Sequence, residues 1–187
     1  MYECQIWYLA IFLAAGKTQI MPTLHIIEGP VGAGKTTYAN QLGRDLGTPP
    51  LVLDAWMTNL FQADRPEVDL WPWYAERKAR CIFQIMDLAR RTLDHGNDAI
   101  VELGLVRVED RVKLYADLES EDRKFLVHVL ETPRDERKRR VAKRNVDQGE
   151  TFAMHVSNEV FEIASDMWEP VGETERNGHA DKFHIVN

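Results

Sequence analysis

The sequence predicts an α/β protein built on a parallel sheet with helical crossovers. Three observations predict it: short apolar runs that are continuous rather than alternating, helical patterns between them, and a glycine-rich stretch joining the first run to the first helix. Continuous apolar runs suit strands covered on both faces, and their alternation with helices implies right-handed crossovers. In such sheets ligands sit at the carboxyl ends of the strands.

The first run, Thr23-Leu24-His25-Ile26-Ile27-Glu28, is rich in β-branched residues and leads at once into Gly29-Pro30-Val31-Gly32-Ala33-Gly34-Lys35-Thr36. A helix follows from Thr37 to Leu46, with Ala39, Leu42 and Leu46 at helical spacing and Gly47 placed to stop it. Leu51-Val52-Leu53-Asp54 is the second strand, after Pro49-Pro50. Tyr74 to His95 keeps a 3.6-residue period through Ala75, Ala79, Ile82, Phe83, Met86, Ala89 and Leu93, and Gly96 ends it. Ala99-Ile100-Val101-Glu102 and Phe125 to Leu130 are further strands, separated by a helix over Val108 to Leu118. A basic helix follows Pro133, another runs from Ser157 to Trp168 before Pro170, and Phe183 to Val186 is a last, weaker strand. Residues 61–74 mix aromatic and charged side chains and read as a loop: a substrate lid, or a surface loop whose Trp71 and Trp73 plug the core edge.

The length of 187 residues is one domain with a single sizeable core, and 44% hydrophobic with 28% charged residues is a globular composition. A net charge of -7 argues against wrapping duplex nucleic acid, which depends on neutralising phosphates, but leaves nucleotides open because a local cluster suffices. Only Cys4 and Cys81 occur, so a disulfide framework or a zinc site is excluded and a reducing cytoplasm is the default. The apolar run over residues 6–15 is about half of what spans a membrane, and no Lys or Arg precedes it as a signal peptide would need. Residues 1–20 therefore read as an extension or an over-called start before a domain at 21–187. The rival reading is a helix or strand docked on the domain or on a second subunit. Gly16-Lys17-Thr18 is a decoy, because Ile11 stands where a phosphate loop has its first glycine.

Gly29 to Thr36 matches G-x-x-x-x-G-K-[ST] in full, between a strand and a helix as the motif requires. The glycines let backbone N–H groups converge on phosphate oxygens, and the helix start adds unpaired donors and its positive dipole end. Residues 29–37, through Thr37, are the expected nucleotide contacts. Lys35 is expected on the β- and γ-phosphates, and the Thr36 hydroxyl on Mg²⁺. Asp54 and Glu102 fall at expected strand ends beside this loop. Asp54 is a candidate general base or, through water, a metal ligand; its plain reading is a turn residue or helix cap. Glu102 sits where an acid would hold Mg²⁺, with a salt bridge as the other reading. Residues 134–144 carry seven basic side chains, of which Arg137, Arg140 and Arg144 share one helix face and suit a phosphoryl group in transfer. Arg134, Lys138 and Lys143 read as a solvated face.

These residues resemble the P-loop kinases of the nucleoside-monophosphate-kinase-like branch, and within it the AAA_33-type small kinases, relatives of chloramphenicol phosphotransferase and of the kinase domain of polynucleotide kinase. The resemblance covers about residues 22–186 and rests on Gly29 to Thr36, Asp54, Glu102, Arg140 to Asn145, Gly149-Glu150-Thr151 and Trp168-Glu169-Pro170. It implies the P-loop NTPase fold: a five-stranded parallel sheet ordered 2-3-1-4-5, helices on both faces, and an arginine-bearing lid after the fourth strand. It further implies Asp54 as base and Arg140 and Arg144 on the nucleotide phosphates. Glu102 departs from the more usual Asp, and residues 61–74 match no known acceptor pattern. The expected activity is ATP- and Mg²⁺-dependent phosphorylation of a small-molecule hydroxyl. The alternatives are a polynucleotide or nucleoside kinase, with Arg77, Lys78 and Arg80 as a local basic patch, and a slow nucleotide-dependent switch.

Overall fold

The structure, a computed structural model, describes residues 21–149, 152 and 154–186. The extension expected over residues 1–20, and Glu150 and Thr151 of the resemblance, lie outside the described residues. Five strands, β1 (Leu24–Glu28), β2 (Leu51–Val52), β3 (Ala99–Glu102), β4 (Phe125–Leu130) and β5 (Phe183–Val186), form one sheet ordered β2-β3-β1-β4-β5. Every pairing is parallel, as in Ile26 opposite Val101 and Val127. Seven α-helices are found among the described residues: α1 (Lys35–Leu46), α2 (Leu53–Phe61), α3 (Leu70–Asp94), α4 (Val108–Ser120), α5 (Arg134–Asp147), α6 (Asn158–Asp166) and α7 (Glu173–Asn177). The expected order and the doubly covered sheet are both present.

Alternation along each strand sorts the core. Leu24, Ile26, Val101, Val127 and Val129 face α2, α3 and α4, where Ile85, Ala89, Tyr115 and Leu118 are buried. Ile27, Ile100 and Leu130 face α1 through Ala39, with Tyr38 and Leu42 packed beside them. A third cluster of Val141, Val156 and Phe161 joins α5 to α6 beside Val31 of the glycine loop.

Two boundaries differ from the expected ones. The second strand stops at Val52, and Leu53 and Asp54 begin α2 instead of ending a strand. Leu53, Met57 and Phe61 recur every four residues and all pack on the large core, so burial favours the helix over further extension. Residues 61–74 are not one loop: α2 continues through Phe61, a 3-10 turn covers Gln62–Asp64, and α3 opens at Leu70. Pro72 does not prevent this, because a proline in the first turn removes an N–H that has no helical partner anyway. Trp71 is 67% exposed and plugs no core.

Two polar clusters lie inside. Arg111 on α4 and Glu175 on α7 form a bidentate pair at 2.8 and 2.9 Å, their side chains 0% and 2% exposed, with Arg111 also over the Trp168 ring and donating to Glu169 O at 2.9 Å. Removing one member of such a pair strands the other charge. Arg111→Met should therefore lower unfolding free energy by about 3–5 kcal/mol. A urea midpoint close to wild type would show that Glu175 finds another partner or takes up a proton without cost.

On the α1 face, His25 Nδ1 lies 2.9 Å from His128 Nε2, whose Nδ1 meets the Tyr38 hydroxyl at 2.8 Å and His184 at 3.4 Å. Burial, with the charges of His25 and His184 adding to it, pushes His128 down to about 3. The folded pKa lies below the unfolded value near 6.5, so between these the unfolded chain binds the extra proton, and stability falls as pH falls through that window. His128 should remove roughly 2 kcal/mol by pH 5. His128→Leu should flatten the change in unfolding free energy between pH 7.5 and pH 5, measured by urea titration, by that amount, and an unchanged slope would assign the acid sensitivity elsewhere.

Candidate active site

The glycine loop bends because its backbone adopts conformations closed to most side chains. Gly32 has φ +77°, and a Cβ there would lie 2.8 Å from both Arg137 O and Val141 Cγ2, so α5 packs directly on the loop backbone. Gly34, at φ 99°, is the N-cap of α1 and aims the first N–H groups of the helix back into the loop. Pro30 and Ala33 are buried, while Thr37 is exposed in the first turn of α1.

Lys35 and Thr36 converge on Glu102 at the end of β3. Lys35 Nζ donates to Pro30 O at 3.1 Å and lies 3.8 Å from Glu102 Oε1, and Thr36 Oγ1 donates to Glu102 Oε2 at 2.8 Å. Glu102 is 6% exposed. Burial pushes its carboxyl up, Lys35, Thr36 and Arg144 pull it down, and the charge of Asp54 pushes it up again. A hydroxyl and a carboxylate oxygen in contact are hard oxygen donors that suit Mg²⁺, whose remaining positions are commonly water and phosphate oxygens. The residues present thus fit that ion, although no group of three or more His, Cys, Asp or Glu among the described residues forms a cage by itself.

Asp54 stands in the first turn of α2, exposed, with its charge acting on Glu102, Tyr74 and Lys78. The helix start and not a strand end carries it beside the loop.

The three lid arginines separate. Arg137 is buried: its Nη1 donates to Val31 O at 2.9 Å and Ser165 Oγ at 3.0 Å, its Nε donates to Thr132 O at 3.1 Å, and its guanidinium lies over the Phe161 ring. It braces the loop from outside. Arg140 is half exposed, donating to Glu136 at 2.9 Å and to Ala33 O at 3.3 Å, next to Gly34. Arg144 is partly buried with its Nε unpartnered among the described residues, and its charge reaches Glu102.

One residue escapes a reading of the sequence, and another takes a different place from the one expected. Glu28, last in β1 and directly before Gly29, is 2% exposed, and burial pushes its carboxyl up to about 8 against the pull of Arg111 and Lys35. An acid closing an otherwise apolar strand was the available signal. Lys78, expected in a surface patch, instead donates to Gly104 O at 3.2 Å just beyond β3, one helical turn after Tyr74. The suggested patch of Arg77, Lys78 and Arg80 does not form. Arg77 lies over the Trp73 ring at 4.5 Å with Phe61 on its other side at 5.8 Å, and Arg80 pairs with Glu76 on the outer surface. A separate cavity of about 520 Å³ lies at the opposite end of the strands, lined by Pro22, Leu46, Pro49, Leu88 and Asp98, away from all of these groups.

A glycine loop on a helix start, an acid on the next inner strand and a 2-3-1-4-5 sheet define a P-loop kinase-like protein. The solved structures it resembles have this fold. A candidate kinase from Chloroflexus aurantiacus J-10-fl superposes with a TM-score of 0.64 at 21% identity, over 89% of this chain and 85% of that one. An unliganded sugar kinase from Janibacter sp. HTCC2649 gives 0.53 at 17%, over 88% and 84%. The Pnkp1/Rnl/Hen1 RNA repair complex gives 0.54 at 20%, over 88% of this chain and 48% of that one. Among curated proteins none matches the sequence significantly. The chain belongs to the AAA_33 family, described as an AAA domain, whose profile matches residues 24–167.

Because α5 rests on the Gly32 backbone, Gly32→Ala should weaken nucleotide binding in calorimetry by about fivefold or more, on the order of 1–3 kcal/mol of overpacking and strain. Arg137→Met should lower the melting temperature as well, since it strands the carbonyls of Val31 and Thr132. An Arg137→Met protein with wild-type melting and a purely lowered kcat would instead place Arg137 on the phosphates.

Proposed function

We propose that the protein is an ATP-dependent phosphotransferase that moves the γ-phosphoryl group to the hydroxyl of a small molecule, with residues 21–187 as its kinase domain and 1–20 as an extension. The observation that carries the reading is the meeting of Lys35, Thr36 and Glu102 at the glycine loop, with Asp54 a charge's reach away on the acceptor side. The backbone N–H groups of residues 29–37, Pro30 excepted because it has none, hold the phosphates, and Lys35 neutralises the β- and γ-oxygens. Thr36 and Glu102, with Asp54 through water, would hold Mg²⁺, which supplies further neutralisation of the phosphate oxygens when bound. Asp54 accepts the proton of the acceptor hydroxyl as the new O–P bond forms and the bond to the ADP oxygen breaks. Arg140 and Arg144 face the charge spread over the transferring group, and Arg144, whose Nε has no partner among the described residues, is the more available of the two.

The dispersal of Arg77, Lys78 and Arg80 weighs against a polynucleotide channel along α3. Among the described residues no helix is long and apolar enough to cross a membrane, and Cys81 is a free buried thiol, in keeping with a cytoplasmic setting.

The test is transfer of labelled γ-phosphate into a metabolite mixture, followed by variants on the acceptor found. Lys35→Ala should abolish transfer. Asp54→Asn should slow transfer by ~10²–10⁴-fold while ATP affinity changes little, and Arg144→Ala should lower kcat by about a hundredfold. Slow free phosphate with no labelled acceptor would favour a nucleotide-dependent switch, and wild-type transfer by Asp54→Asn across pH 6 to 9 would remove Asp54 as the base.

A further inference from the structure

Two cations at this site stand out by what they do not touch. Among the described residues, Lys78 and Arg144 have no carboxylate within 4 Å, whereas every other partly buried lysine or arginine has one and the fully buried Arg137 spends its donors on Val31 O, Thr132 O and Ser165 Oγ. Arg144 lies on the α5 side, where its charge reaches Glu102 and the phosphates of a nucleotide would lie. Lys78 lies on the other side of the glycine loop, on α3, with one N–H of its ammonium on Gly104 O at 3.2 Å.

The surroundings of Lys78 have the same unspent character. Asp54, Tyr74 and Glu28 present polar ends with no hydrogen-bond or ion-pair partner among the described residues, and Asp54 acts electrostatically on both Lys78 and Tyr74. Burial pushes the Tyr74 hydroxyl up to about 12, with the Asp54 charge adding to it, so it stays a neutral donor. Burial also lowers Lys78, against the pull of the Asp110 and Asp54 charges. Glu28, faced by Arg111, Lys35, Glu175 and Glu102, is held neutral at pH 7 and does not repel an anion. Beside them the Arg77 guanidinium is fixed over Trp73 and tied to Trp73 O at 3.2 Å, a rigid wall and not a second free cation.

A half-buried ammonium with two N–H donors unused among the described residues is costly unless something negative meets it. ATP would occupy the opposite side of the loop. We infer that the acceptor is an anionic alcohol, a hydroxyl compound bearing a carboxylate or phosphate group, and that Lys78 binds that group while Asp54 faces the hydroxyl. For the ligand to be an acceptor the inference rests on the proposed phosphoryl transfer; the anion site itself is measurable without turnover. Lys78 is then a specificity-determining residue, selecting among hydroxyl compounds by charge.

The full chain, saturated with Mg²⁺ and a non-hydrolysable ATP analogue so that the glycine loop cannot capture the probe, would be titrated calorimetrically with glycerol 3-phosphate, glycerate and glycerol. At least one of the two anions should bind tenfold or more tighter than glycerol, the scale of one charge-assisted hydrogen bond. The comparison of the two anions tells phosphate from carboxylate recognition. Lys78→Met, checked for folding by its melting temperature, should erase the preference, and Lys78→Arg should restore most of it. Equal binding of all three compounds, or an anion preference that survives in Lys78→Met, overturns the inference. Transfer from labelled ATP is scored separately: anion binding without transfer would remove the phosphotransferase reading and leave the anion site standing. Transfer to neutral and anionic alcohols with equal kcat/KM would do the reverse.

Discussion

A single buried guanidinium ties together the parts of the molecule that must not move relative to each other. Arg137 donates to the carbonyl oxygens of Val31 in the glycine loop and Thr132 after β4, and to the hydroxyl of Ser165 on α6, with Phe161 under its plane. A loop built from glycines has no side chains with which to fix itself, and its freedom would blur the directions of its N–H groups. Packing α5 onto Gly32 and bracing Val31 from the same helix supplies that rigidity from outside. The helix that carries Arg140 and Arg144 is therefore also the helix that shapes the loop they face, so lid and loop are one mechanical unit.

The rest of the site follows from electrostatics at the strand ends. Glu102, Glu28 and Asp54 gather three carboxyl groups at the carboxyl end of the strands, and they coexist because each has a different environment. Glu102 is compensated by Lys35 and Thr36, Glu28 is kept neutral by burial, and Asp54 stays in solvent. Separate environments for similar groups allow distinct roles without mutual repulsion.

The sheet, its parallel sense and the place of the glycine loop were legible in the residues because each depends on local pattern: apolar runs, helical periods and a motif with the right neighbours. The end of β2 was not, since Leu51, Val52 and Leu53 are equally apolar and only the core beneath α2 shows that Leu53 pairs with Met57 rather than with the sheet. Arg137 read as one of three arginines on a helix stripe, because periodicity treats a helix as free. Its burial depends on α6, a long-range contact invisible in spacing. The basic patch on α3 failed for a geometric reason: neighbouring helical residues point about 100° apart, so Arg77 and Lys78 cannot share a direction.

The brevity of β2 has a consequence for how the molecule behaves among its own copies. With only Leu51 and Val52 in the ladder, and the chain turning into α2 at the next residue, that margin of the sheet offers almost no run of open backbone donors and acceptors. A longer margin would be a template on which a strand of another chain could assemble. The early turn that brings Asp54 to the cleft thus also guards this border of the sheet against edge-to-edge aggregation.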